Sequence, residues 1–152
     1  MKTIHVGQKE FGHTVDITDP CYKKDVWCRI NDVEIKPMLY NCYVNLYSDK
    51  ETGGWGERVA SLEIIHLGLT ATSFKLIGSI GVDAGLAGIF QNKHDYTDEE
   101  WYDFCERINV GKYWIINEGF FSSTGYGDGY YPVSAAYLNG EIIGLKINYM
   151  EH

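Results

Sequence analysis

The chain has no run of basic residues, no uninterrupted apolar stretch of membrane length and no C-x-x-C pair, and each absence closes off a class of function. Lys23-Lys24 is the only adjacent basic pair, and the net charge is −8. Neutralising phosphates takes clustered Lys and Arg, so no direct nucleic-acid binding is expected. The scattered acids read as a solubilising surface, with a basic protein partner as the alternative. The longest apolar candidate, Leu67 to Phe90, is broken by Lys75 and Asp83, which argues against a membrane span. Met1 to Gly7 lacks the apolar core of a secretion signal, so a cytoplasmic protein is expected. In that compartment Cys21, Cys28, Cys42 and Cys105 are expected as reduced thiols, packed as small apolar groups.

What the chain does have is aromatic mass: twelve Tyr, six Phe and four Trp in 152 residues. Tyrosine in such number suits pleated surfaces, where the ring packs and the hydroxyl reaches water. Residues 1–152 are long enough for a single globular domain with a real core. From Leu39 to Tyr47, Cys42, Val44 and Leu46 alternate with Asn41, Tyr43 and Asn45, the period of a half-buried strand. Val59 to Leu67 repeats that period through Ala60, Leu62 and Ile64. Phe74 to Val82 is almost wholly apolar and predicts a strand in the middle of a sheet. Tyr131 to Leu138 and Glu141 to Met150 flank Asn139-Gly140, whose tolerance of positive φ predicts a tight hairpin.

One helix is signalled. Thr97-Asp-Glu-Glu100 has the form of a capping box, Tyr96 and Trp101 that of a hydrophobic staple, and Trp101, Phe104, Cys105 and Ile108 follow at helical spacing up to an exit at Gly111. The polar segment Ser48 to Glu57 predicts a mobile hairpin loop carrying an exposed Trp55. Strand following strand with one insertion predicts a mainly β, α+β chain: an antiparallel β-sandwich or open barrel with one inserted amphipathic helix.

Three segments place an acid beside special backbone: Asp16 to Tyr22 with Asp19, Gly81 to Phe90 with Asp83, and the Gly127-Asp128-Gly129 turn. Gly125, Gly127 and Gly129 let the last fold tightly on itself, with Tyr126, Tyr130 and Tyr131 around the carboxylate. Tyr126, Gly127, Asp128, Gly129 and Tyr130 are therefore the candidate ligand-binding residues, for a small polar, nucleotide-like ligand or for a protein surface. Asp19, Asp83 and Asp128, if gathered, would form a hard oxygen site for Ca²⁺ or Mg²⁺. The loop's amides could instead cradle an anion, with tyrosines stacking on a base or sugar. Neither the P-loop nor the dinucleotide glycine pattern is present. The alternative reading is a hydrolase, using an Asp-held metal or Cys21 as nucleophile with His66 or His13 as base.

The motifs Ile17-Thr-Asp-Pro-Cys-Tyr22, Gly81-Val-Asp-Ala-Gly85 and Gly127-Asp-Gly-Tyr-Tyr-Pro132 resemble those of small bacterial and phage proteins similar to the family labelled DUF4241. The resemblance implies a β-rich domain and supplies no catalytic residues. The functional expectation is a non-enzymatic binding or interaction protein, with homo-oligomers within its scope. A phage connection would make sequestering a signalling nucleotide or blocking a host protein natural forms of that role, an argument by analogy.

Overall fold

The computed structural model describes residues 1–71, 73–91, 97–107 and 112–150. Among the described residues eleven strands, numbered in chain order, pair in antiparallel fashion into two sheets. The larger sheet runs β1 (Lys2–Phe11), β4 (Met38–Tyr47), β5 (Arg58–His66), β11 (Glu141–Asn148), β10 (Gly129–Leu138), β6 (Phe74–Val82). The smaller runs β3 (Ile30–Glu34), β2 (Thr14–Thr18), β7 (Leu86–Gln91), β9 (Gly119–Ser123), β8 (Tyr113–Ile116). Neither sheet closes into a barrel.

Alternation builds the core. Val44, Leu62, Ile64, Leu145 and Ile147 of the larger sheet share one buried cluster with Val15, Ile17, Ile89 and Phe120 of the smaller. Each such side chain contributes roughly 1.5–3 kcal/mol on leaving water. Because the strand period is two, Phe121 and Phe90 point the other way from Phe120 and Ile89, and they form a separate cluster with Trp114 and Cys21. Cys42 is fully buried, and burial pushes its thiol up to about 12, so it packs as an apolar group.

The hairpin at Asn139-Gly140 forms with both turn residues at positive φ, 52° and 83°, joining β10 to β11. Phe74 to Val82, in contrast, is an edge strand and not a central one. Leu76 on it is 69% exposed. Part of its outer side is covered by the segment after β2, where the Gly81 amide donates to the Cys28 carbonyl at 2.8 Å. An apolar strand implies cover on both edges, and here β10 covers one while the segment 19–29 covers part of the other.

Helix among the described residues is limited to α1 (Asp98–Arg107). The Thr97 hydroxyl accepts the Glu100 amide at 3.2 Å and donates to the Glu100 carboxylate at 3.1 Å. Tyr96, Ile108 and Gly111, and the side chains of Trp101, Phe104 and Cys105, lie outside what is described, and with them the predicted apolar stripe.

Strand register decides what meets what. Residues 19–29, 48–57, 83–85 and 124–128 connect strands at one end of the layers, and the Asn139-Gly140 turn lies at the other.

Candidate functional site

All three predicted acid segments arrive at that first end. Asp19 is fully buried, and its carboxylate accepts the amides of Cys21, Asp83 and Ala84, each at 2.8 Å. The β6–β10 ladder ends at Val82 opposite Gly129, so Asp83 and Asp128 are the next residues on adjacent chains. The local reason is Pro20, which stops β2 and leaves Asp19 facing the following turns. Burial raises the Asp19 carboxyl above its ordinary range, against the lowering effect of its three amide donors. Tyr22 stands beside it; burial, the Cys28 thiol and the nearby Asp19 and Asp83 carboxylates push its phenol up to about 12.

The acid segments come together, but among the described residues they form no metal site. Asp19 spends its oxygens on backbone amides, while Asp83 and Asp128 are exposed. Among the described residues no group of three His, Cys, Asp or Glu is placed to hold a metal ion, so the Ca²⁺ or Mg²⁺ reading of Asp19, Asp83 and Asp128 has no ligand cluster to rest on. Asp19 is a clamp joining two connections.

Cys21 and His66 are also separated by the fold. Cys21 follows β2 at the acid-bearing end and packs against the Phe90–Phe121 cluster. His66 ends β5 opposite Tyr40, at the far end, with Nδ1 3.0 Å from the Leu67 carbonyl and Nε2 3.2 Å from the Pro37 carbonyl. A thiol and base must lie within hydrogen-bond reach, so these two do not make a nucleophile pair. His13 lies at the far end as well, its carbonyl accepting the Ile35 amide.

The Gly127 loop folds as its glycines predict. Gly127 has φ 85°, its amide donates to the Thr124 carbonyl at 2.9 Å, and its own carbonyl accepts the hydroxyls of Thr124 and Tyr131 at 2.5 and 2.7 Å. Tyr131 is turned inward and buried, whereas Tyr126 and Tyr130 are 50% and 66% exposed. The inward Gly127 amide is lost to an anion cradle.

Two tryptophans complete the surface. Trp27, 79% exposed, lies 6.2 Å from Tyr130 between ring centroids, and Trp55, 55% exposed, meets Tyr126 edge-on at 5.8 Å. The Ser48–Glu57 segment that presents Trp55 is tied by its own bonds, among them Gly56 amide to Asp49 carboxylate at 2.7 Å and Thr52 hydroxyl to the Gly56 carbonyl at 2.8 Å. Trp27 was missed by reasoning from sequence, since its flanking Val26 and Cys28 give no local sign of exposure. Also missed was the pair that holds the Trp27 loop. Arg29 bonds the Asp16 carboxylate at 3.0 Å, with both side chains almost wholly buried, and reaches the Tyr22 carbonyl at 2.7 Å.

The Asn/Tyr face of β4, a second candidate surface, satisfies itself. Asn45 is buried between Thr3 and Ser61, and the Asn41 amide oxygen accepts from Gln8 and lies 3.0 Å from His5 Nε2. Comparison with protein-family profiles, curated proteins and solved structures finds no match to this chain. No described helix is long and apolar enough to cross a membrane.

Proposed function

We propose that this is a binding protein and not an enzyme, and that it holds its ligand at the loop end through Tyr126, Gly127, Asp128, Gly129 and Tyr130, with Trp27 and Trp55 as added contacts. One observation carries the reading. Four large aromatic side chains stand half or more exposed around a single hydrogen-bonded loop, the kind of exposed apolar grouping that marks an interaction site. Cys21 and His66 stand at opposite ends of the layers, and no metal-ligand group is found among the described residues, so the hydrolase alternative gains no geometric support. The supporting scaffold is, on this reading, a cytoplasmic β-sandwich with α1 as an inserted amphipathic helix. Kinship with the DUF4241 proteins rests on the three motifs.

The test is to incubate the protein with a cell metabolite extract, denature it, and identify what is released. An intact compound recovered in stoichiometric amount from the wild type, and lost from Trp55→Ala and Tyr126→Ala, supports the proposal. Turnover of a compound in the extract that Cys21→Ala or a chelator abolishes would overturn it.

A further inference from the structure

The exposed rings form a connected strip. Trp27 lies beside Tyr130, and Tyr130 and Tyr126 line a shallow hollow of about 230 Å³. Tyr126 then meets Trp55, and these two with Tyr47 line a second hollow of about 600 Å³. Tyr126 and Met150 line both hollows, so the two adjoin. A strip of successive rings suits a linear ligand with repeating flat apolar faces.

Charge narrows the class. Of the described residues lining the two hollows only Glu51 is charged, and its carboxylate is bonded to the N-terminal ammonium at 2.6 Å and to the Ser48 amide at 3.1 Å. The neighbouring guanidinium, Arg58, lies over the Trp55 ring at 5.3 Å and donates Nε to the Trp55 carbonyl at 3.2 Å. No lining side chain therefore offers a cation to a phosphate, which a nucleotide would need. Meanwhile the hydroxyls of Tyr47, Tyr126 and Tyr130 have no hydrogen-bond partner among the described residues. Rings set against ring neighbours, with unspent phenols at their edges, match ligands that are apolar on one face and hydroxylated at the rim.

Granted the binding face proposed above, we infer that it takes a neutral linear oligosaccharide, whose sugar rings lie on the successive aromatic faces. A peptide fits less well. Peptide affinity comes mainly from anchor side chains buried in desolvated pockets, and Trp55, Tyr126 and Tyr130, which line these hollows, are half or more exposed.

The test is calorimetric titration of the full chain with neutral β-1,4-glucose, α-1,4-glucose, β-1,4-xylose, β-1,4-mannose and N-acetylglucosamine oligomers, with ATP and a proline-rich peptide as competing classes. At least one sugar series should bind, tighten by about tenfold from disaccharide to hexasaccharide, and hold its affinity in high salt. Tyr126→Ala and Trp55→Ala should each weaken it about tenfold or more, while Tyr137→Ala at the far end leaves it unchanged. Circular dichroism would check that each variant is folded. If ATP or the peptide binds with the same Tyr126 dependence and no sugar does, the saccharide assignment fails and the binding face stands. If sugars bind with no dependence on either ring, or if none of the probes binds, the assignment is overturned; the metabolite-release experiment then separately decides whether the face binds anything.

Discussion

Each end of the strand layers carries a hollow of similar size, about 600 Å³ beside Tyr126 and Trp55 and about 540 Å³ between His13 and Gly140, yet the two are built from opposite chemistry. At the far end polar groups are spent on the fold. The Ile35 amide donates to the His13 carbonyl, the Lys36 amide to the Ile142 carbonyl and the Tyr40 hydroxyl to the Lys36 carbonyl. Lys36 pairs with Glu141 at 3.7 Å, and His66 lies against two carbonyls. At the near end the buried polar groups, Asp16, Arg29 and Asp19, are equally spent, but they hold up a rim of rings whose hydroxyls remain unused. Volume does not separate the two hollows. What separates them is the lining: adjoining rings at the near end, and ionisable and polar side chains around Tyr137 at the far one.

The sharpest way to break this comparison is to remove one cation from each end. Arg29→Ala leaves the buried Asp16 carboxylate to the Asp32 amide at 2.9 Å and the Lys24 ammonium at 3.9 Å, a loss of up to about 3–5 kcal/mol in denaturant unfolding. Lys36→Ala breaks a half-exposed pair and should cost at most about 1 kcal/mol. Equal losses would mean that the near-end loop is not held by its buried pair.

Glycines offer a second contrast. A methyl group on Gly125 would lie 2.0 Å from the Met150 sulfur and 2.4 Å from the Val59 carbonyl oxygen, so Gly125→Ala must displace backbone and should cost about 1–3 kcal/mol. Gly140→Ala meets nothing within 4 Å and suffers only its positive φ of 83°, worth roughly 1–2 kcal/mol. Beyond stability, Gly125→Ala should disturb Tyr126 next to it, which the ring-pair signal in near-ultraviolet circular dichroism would report; Gly140→Ala should leave that signal intact.

These contrasts also mark how far reasoning from sequence reaches. Local chemistry was readable: Asn139-Gly140 named its turn, Thr97 and Glu100 their cap, and Cys42, Val44 and Leu46 their face. Asp19, Asp83 and Asp128 could be suspected of meeting because each stood at a strand end or turn, and the fold does bring their segments together. Their role was not readable, since nothing local says that a carboxylate will be consumed by amides sixty-four and sixty-five residues away. The same holds for β6, whose apolar run is shielded in part by residues 19–29, and for Trp27 and Trp55, which reach Tyr130 and Tyr126 only through long-range register.

The Asp19 clamp gives a smaller, pH-dependent effect. Its folded carboxyl is raised above the unfolded value, chiefly by burial. Its titration therefore contributes stability that is full below about pH 3.9 and is lost as pH rises through the folded value. Unfolding free energy measured across the acid range should show that decline in the wild type. Asp19→Asn cannot titrate, so the decline should be missing from its own curve and appear in the wild-type minus variant difference. A curve rising with pH through the same window would mean that the amide donors outweigh burial.

The smallest expected effect is the one on which the comparison most depends. Trp55 and Tyr126 form an edge-on pair at 5.8 Å, and buried aromatic pairs are worth about 0.5–1.5 kcal/mol beyond their area. Here both rings are at least half exposed, so folding draws little from them. Trp55→Ala and Tyr126→Ala should each shift stability by no more than about 0.5 kcal/mol, and a double-mutant cycle should give a coupling of similar or smaller size. Tyr137→Ala, an exposed ring at the far end, should be equally silent. A Trp55–Tyr126 coupling above about 1.5 kcal/mol would show the pair to be a structural brace. The rings would then be spent on the fold, and nothing would single out a binding face. Silence in stability combined with loss of ligand is the pattern expected of side chains that the fold can do without.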